Sequence, residues 1–145
     1  MKIQIKKLRP GAQLPTAGSA GSAGSDLYAC IEAGEALIPP GETVMVGTGI
    51  SAAVPEGYFG AVFARSGLAS KQGLRPANCV GVCDSDYRGE YIVALHNDSL
   101  SPRVVRDGDR IAQLVVLPFV PAEFEEADTL PETRRGAGGF GSTGE

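Results

Sequence analysis

Short apolar bursts, most of them alternating with polar or small positions, run along the chain from Ile3 to Leu117 and are cut apart by proline and glycine. Successive side chains on a strand point to opposite faces, so alternation with period two predicts strands rather than helices. Ile3 and Ile5 alternate with polar neighbours ahead of Pro10 and Gly11, which predicts a first strand with one wet face. An apolar run resumes at Asp26 to Cys30, immediately after the triple repeat AGSAGSAGS at 17–25. The turn Pro39-Pro40-Gly41 precedes strand positions at Val44, Val46, Ile50 and Val54, interrupted by Gly47 and Gly49. A second turn, Pro55-Glu56-Gly57, opens a strand over Tyr58 to Phe63. That strand feeds ARSGLA at 64–69, where Ser66 is expected to cap a short helix through Leu68 and Ala69. Cys79, Val80, Val82 and Cys83 on one side and Tyr91 to Leu95 on the other flank a polar turn, the pattern of a β-hairpin with a loop of medium length. The turn Asp107-Gly108-Asp109-Arg110 leads into a last apolar run, Ile111 to Leu117, with Gln113 embedded in it.

Composition sharpens this into one all-β domain. At 145 residues a chain can bury one respectable core, and twenty glycines with ten prolines leave few long runs for helices. A net charge of -4 and a pI near 5.0 disfavour nucleic-acid or anionic-membrane partners, so any nucleotide bound is expected to be small and free. No run reaches the roughly 20 apolar residues that a membrane helix needs, and MKIQIKKLRP has no signal-peptide core, so a cytoplasmic location is expected. Cys30, Cys79 and Cys83 make a poor zinc pattern and read as small buried apolar side chains. The single His96 reads as structural, at a strand end or a subunit contact, and a histidine-dependent triad has no other histidine to use.

The densest chemistry lies in GVCDSDYRGE, residues 81–90. Asp84, Asp86, Glu90, Tyr87 and Arg88 crowd together there, enough for a general base and a wall for a small substrate. The alternative is a solvated turn whose acids cap its own N–H groups. Arg65, Ser66 and Gly67 gather a guanidinium, a hydroxyl and backbone N–H groups, a combination suited to phosphate. The AGS repeat reads either as a flexible linker or as a loop that sets the Asp26 carboxylate toward a cation or water. Gln113 must either bond a neighbouring backbone or face a ligand, since an unpaired buried amide costs about 1 to 3 kcal/mol. Near the end, Gly136, Gly138 and Gly141 match G-x-G-x-x-G, but no strand-turn-helix unit accompanies them and the dinucleotide reading fails. What remains is an arm carrying Arg134, Arg135, Phe140, Ser142 and Thr143, able to wrap an anion and lay a ring on a base.

In order, AGSDLYAC, ARSGLAS, GVCDSDYRGE, GDRIAQLVV and RGAGGFGSTG resemble the five motifs of the trimeric dUTP diphosphatases, the dUTPases, and together they cover nearly the whole chain. The resemblance implies a distorted jelly-roll (β-clip-like) domain over residues 1–132 with one short helix, and a flexible glycine-rich arm over 133–145 that closes the active site. It further implies a homotrimer whose three sites are each built from all three chains, hydrolysing dUTP to dUMP and pyrophosphate with Mg2+. By motif, Asp84 resembles the base that activates water at the α-phosphorus, and Tyr87 the ring lying against deoxyribose. Asn78 and the backbone near Gly81 resemble the readers of the uracil edge. Arg65, Ser66, Gly67 and Gln113 look like phosphate ligands, as do Arg135, Ser142 and Thr143 beside Gly141, with Phe140 stacking over uracil. Asp26 resembles the acid that holds water near the metal, which would sit mostly on triphosphate oxygens. The chain departs from the family pattern at Ala64, Cys83 and Ala137 and in the repeated AGS. The dCTP deaminase branch of the same fold is a poorer match, because Ala94 and Ser70 stand where its working glutamate and an arginine fall.

Overall fold

The computed structural model describes residues 1–139 of the chain. Their strands follow one another as β1 (Gln4–Lys7), β2 (Thr16–Ala17), β3 (Ser25–Tyr28), β4 (Glu35–Ile38), β5 (Thr43–Gly47), β6 (Ile50–Ala53) and β7 (Tyr58–Phe63). Helix α1 (Ser66–Gln72) intervenes, and then come β8 (Leu74–Pro76), β9 (Val80–Cys83), β10 (Ile92–Asn97), β11 (Arg103–Arg106) and β12 (Arg110–Pro118). Every ladder is antiparallel. The largest sheet has the order β2-β3-β12-β7-β9, the next β5-β10-β8, and two-stranded ribbons pair β1 with β6 and β4 with β11. Leu27, Ile111, Leu114 and Val62 from the large sheet meet Val46, Leu74, Val93 and Leu95 from the three-stranded one in a single core that also takes Ile38 and Val105. The result is a two-layered, distorted jelly roll with one short helix.

Several expectations are met closely. Tyr58 to Phe63 is strand throughout, and the runs beginning at Asp26 and Ile111 lie in β3 and β12. The AGS repeat is partly ordered by its own hydroxyls: Ser22 Oγ accepts a bond from the Ser19 amide at 3.0 Å, and Ser25 already belongs to β3. Three expectations are overturned. The runs flanking residues 84–90 do not form a hairpin, because β9 pairs with β7 at the edge of the large sheet while β10 lies between β5 and β8. Each run has its backbone partners in a different layer, so the loop between them crosses from one sheet to the other. Ser66 is the first helical residue rather than the cap; Arg65 occupies the capping position, still extended at φ -85° and ψ 129°, and no side chain caps the helix. Arg65 is the last extended residue after β7, so the helix begins one residue earlier than a Ser66 cap would have it. Of the cysteines only Cys30 is buried, for Cys83 is half-buried and Cys79 is exposed on a left-handed kink, φ 61°, ahead of β9.

Two polar anchors hold the layers. Asn97, fully buried, donates to the carbonyls of Ile38 (2.9 Å) and Ser101 (2.8 Å) and accepts from the Ser99 amide (2.9 Å) and hydroxyl (2.7 Å). The Arg9 guanidinium grips both carboxylate oxygens of Glu90 at 2.8 and 2.7 Å, and Glu90 Oε1 also accepts the Gly49 amide at 2.7 Å. His96, in β10, has the structural setting expected of it, with Nδ1 2.9 Å from Thr43 Oγ1 and Nε2 3.3 Å from Asp98.

Asn97→Leu is expected to destabilise the fold by about 2 kcal/mol in urea unfolding, since the buried bond to the Ile38 carbonyl and three half-buried ones are lost at once. Chiefly through the hydrogen bonds from Arg9, the Glu90 carboxyl is held below the usual carboxylate range. A depressed folded pKa contributes stability above the unfolded value, near 4.3 for glutamate, and that contribution disappears as pH falls through the folded value. Glu90→Gln is therefore expected to melt below the parent protein at pH 7, by about 1 kcal/mol for one weakened charge-assisted pair. The gap should close in melts run below about pH 4.

Candidate active site

The crossing loop creates the site's first half. Residues 84–90 leave the edge strand β9, and the gap they bridge is a cavity of about 370 Å³ lined by Asn78, Gly81, Asp84 and Tyr87 together with apolar side chains such as Val62 and Val93. Four residues singled out in the sequence thus share one hollow. Gly81 keeps its floor thin: a Cβ there would stand 3.2 Å from Val62 Cβ and 3.5 Å from Asn78 Nδ2. The loop is tightened by its backbone and by Arg88, whose Nη1 donates to the Ser85 carbonyl at 2.6 Å, while the Tyr87 amide donates to the Asp84 carbonyl at 3.2 Å. Tyr87 donates its hydroxyl proton to the Glu90 carbonyl at 2.9 Å, and its ring lies 6.2 Å from that of buried Tyr91, tilted by 33°. Asp84 is exposed at the rim. Beside it, burial pushes the Cys83 thiol up, which keeps that group a neutral wall rather than a nucleophile.

The second half is a charge cluster at the far end of the same sheet. Thr16, Asp26, Gln113, Phe63 and Val80 stand opposite one another in a single row across β2, β3, β12, β7 and β9. Directly opposed residues of an antiparallel sheet project to the same face. Arg65, two residues past Phe63, places Nε 2.7 Å from Asp26 Oδ1, and Arg110 Nη1 lies 3.3 Å from Asp26 Oδ2. Gln113 resolves its two alternatives toward backbone, donating from Nε2 to the Ala64 carbonyl at 2.9 Å; one amide N–H is left for another acceptor. Ser66 and Gly67 stand exposed in the first turn of α1.

One chain keeps these halves apart. Cys83 lies opposite Gly60, so Asp84 leaves the sheet near the start of β7, whereas Arg65 follows its end. Five or six strand residues at about 3.3 Å each put roughly 15 to 20 Å between them. Arg135 reaches neither half; its Nε donates to the carbonyl of Gly138 at 2.8 Å, and it is exposed. Phe140, Gly141, Ser142 and Thr143 lie outside the described residues.

Among the described residues no group of three His, Cys, Asp or Glu side chains could hold a metal ion. Asp26 has both carboxylate oxygens in ion pairs with arginines, which fits an outer, water-mediated role and not direct ligation. Two participants escaped the sequence reading. Arg110, in the turn and the fourth motif, has no role assigned from sequence, and its place beside Asp26 follows from the pairing of β12 with β3. Met45 reaches the cavity because β5 pairs with β10, setting it opposite Ala94, and no local signal predicts that.

The profile of the dUTPase family matches residues 11–144. The deoxyuridine 5'-triphosphate nucleotidohydrolase of Desulfitobacterium hafniense is 52% identical over 99% of this chain and 97% of its own length. Its counterpart from Acinetobacter baumannii is 46% identical over 99% of each chain. Among solved structures, the dUTPase of Staphylococcus bacteriophage 80alpha with dUpNHpp superposes at a TM-score of 0.89, with 27% identity over 99% of both chains. A dUTPase from phage phi11 of S. aureus, described with a structural Mg(II) ion, shares the fold at a TM-score of 0.81 over 91% of this chain and 100% of its own, at 22% identity. With the family profile spanning both halves of the site and the relatives matching end to end, the chain belongs to the dUTPase family.

Proposed function

We propose that this protein hydrolyses dUTP to dUMP and pyrophosphate as a homotrimer, with each active site joining the loop cavity of one subunit to the charge cluster of another. The observation that carries this reading is the separation of Asp84 from Arg65 at opposite ends of β7, which only a second copy can close. Large apolar side chains left uncovered suit such an assembly: Val82 is 64% exposed, Phe124 97% and Leu130 84%. Residues 119–139 carry no strand or helix and are exposed nearly throughout, as an arm reaching a neighbour would be. On this reading 1–132 form the jelly-roll domain and 133–145 the closing arm.

Uracil and deoxyribose occupy the cavity. Asn78 and the backbone around Gly81 pair with the uracil edge, and the pocket rejects a base whose donors and acceptors are reversed because its own groups would be left unpaired. Tyr87 lies flat against the sugar and leaves no room for a 2′-hydroxyl. Asp84, at the rim, orients water and takes its proton as the oxygen attacks the α-phosphorus; pyrophosphate leaves with the electrons of the α–β bridge. Arg65, Ser66, Gly67 and Gln113 hold the phosphates, and Arg135, Ser142 and Thr143 close over them while Phe140 covers the base. Mg2+, when bound, supplies charge neutralisation to the triphosphate oxygens, with Asp26 holding it through water. The net charge of -4 and the free-nucleotide substrate suit a cytoplasmic enzyme with no nucleic-acid or membrane partner; among the described residues no helix is long and apolar enough to cross a membrane. Ala94 lines the cavity without a carboxylate, which speaks against the deaminase reading.

Product analysis on dUTP, UTP, dCTP and dTTP with Mg2+ tests the proposal; release of pyrophosphate from dUTP is expected to dominate, and equal rates on all four would refute it. Asp84→Asn is expected to lower kcat by roughly 10² to 10⁴ while dUTP still binds. Deletion from Gly136 onward is expected to weaken substrate by about 1 to 3 kcal/mol through lost stacking and to slow turnover, read as kcat/KM.

A further inference from the structure

Arg9 lies outside every motif and two residues before the stretch matched by the family profile, yet it is the side chain that ties down the end of the active loop. Its guanidinium takes both oxygens of Glu90, and Nη2 also donates to the Cys30 carbonyl at 3.0 Å. The same carboxylate accepts the Gly49 amide, while the backbone carbonyl of Glu90 accepts the Tyr87 hydroxyl. The Glu90 side chain is thus fixed to β1's exit and the β5–β6 turn, and its main chain is fixed to the tyrosine facing the cavity. Gly47 makes room for the pair: a Cβ there would collide with Glu90 Oε1 and stand 2.5 Å from Arg9 Nη2. A planar, bidentate guanidinium restrains orientation as well as distance, which a lysine cannot do.

We infer that Arg9 is a positioning residue for sugar discrimination, acting through Glu90 to hold the Tyr87 ring at the angle that excludes a ribose 2′-hydroxyl. The inference rests on the role given above to Tyr87 and adds a determinant from the N-terminal strand. Loss of the clamp loosens the loop at Glu90, so the ring tilts and UTP gains access. The fold itself keeps its other ties at this junction, including the Tyr91 amide to the Ile50 carbonyl at 2.9 Å and the Ser51 hydroxyl to the Arg88 carbonyl at 3.0 Å.

The test compares the full-length parent with Arg9→Met and Arg9→Lys in two measurements. Amide exchange over residues 84–90 should speed up by about tenfold in Arg9→Met, the equivalent of one lost charge-assisted bond, with β12 unchanged. The ratio of kcat/KM for dUTP over UTP should fall several-fold in Arg9→Met and less in Arg9→Lys. Unchanged exchange in the loop, a rise spread over the whole chain, or a parental dUTP/UTP ratio would each overturn the inference. Should Arg9→Met fail to fold, Gly47→Ala, which drives a methyl between the two side chains, is put to the same measurements. A parent that does not hydrolyse dUTP would defeat the functional reading instead, and exchange alone would then decide whether the tether exists.

Discussion

Between Cys83 and Ile92 the backbone must leave the edge of one sheet and enter the middle of another, and the candidate site is the geometry of that crossing. A hairpin at this point would have stacked its two strands and filled the space between them. Because β9 and β10 instead pair within separate layers, a gap opens where they part, walled by the apolar faces of both and floored by Gly81. The crossing is held at its far end by Tyr91, whose carbonyl accepts both the amide and the hydroxyl of Thr48 at 3.1 and 2.6 Å.

Strand β7 acts as a ruler. It separates Asp84, on the rim of the loop cavity, from the arginine cluster by its own length, and a rigid strand cannot shorten to bring them together. On the proposed reading a triphosphate spanning both needs a neighbouring copy, and the uncovered apolar side chains of β9 and of the segment after β12 are the surface such an association would bury, at about 25 cal/mol per Å² of apolar area. In the lone subunit Asp26 pairs with both Arg65 and Arg110, and on the proposed reading phosphate would compete with it for them. The competition sets a natural order in which charge is exchanged rather than created.

The apolar runs of the chain made much of this legible. Tyr58 to Phe63 and the run from Ile111 are short apolar runs bounded by turn residues, and each is a strand that buries adjacent as well as alternate residues, Gly60 to Val62 in one and Ile111 with Ala112 in the other. The short strands β2, β4, β8 and β11 left weaker traces, since two to four residues give too few alternations to detect. Ser66 missed its expected capping role for a tertiary reason: beyond the end of β7 Arg65 is still extended and takes the cap position, while its guanidinium reaches Asp26 on another strand.

By itself the order of residues determined that this is a β protein and which side chains are candidates for chemistry: Asp84 three residues before Tyr87, Arg65 before a helix, Gln113 inside a strand. Those are local properties of composition, spacing and side-chain type. Only the tertiary structure decided which of them meet, because pairing partners lie far apart in sequence and local patterning is blind to them. It turned an apparent hairpin into a crossing between layers, drew Arg110 to Asp26 and Arg9 to Glu90, and set Asp84 and Arg65 at opposite ends of one strand.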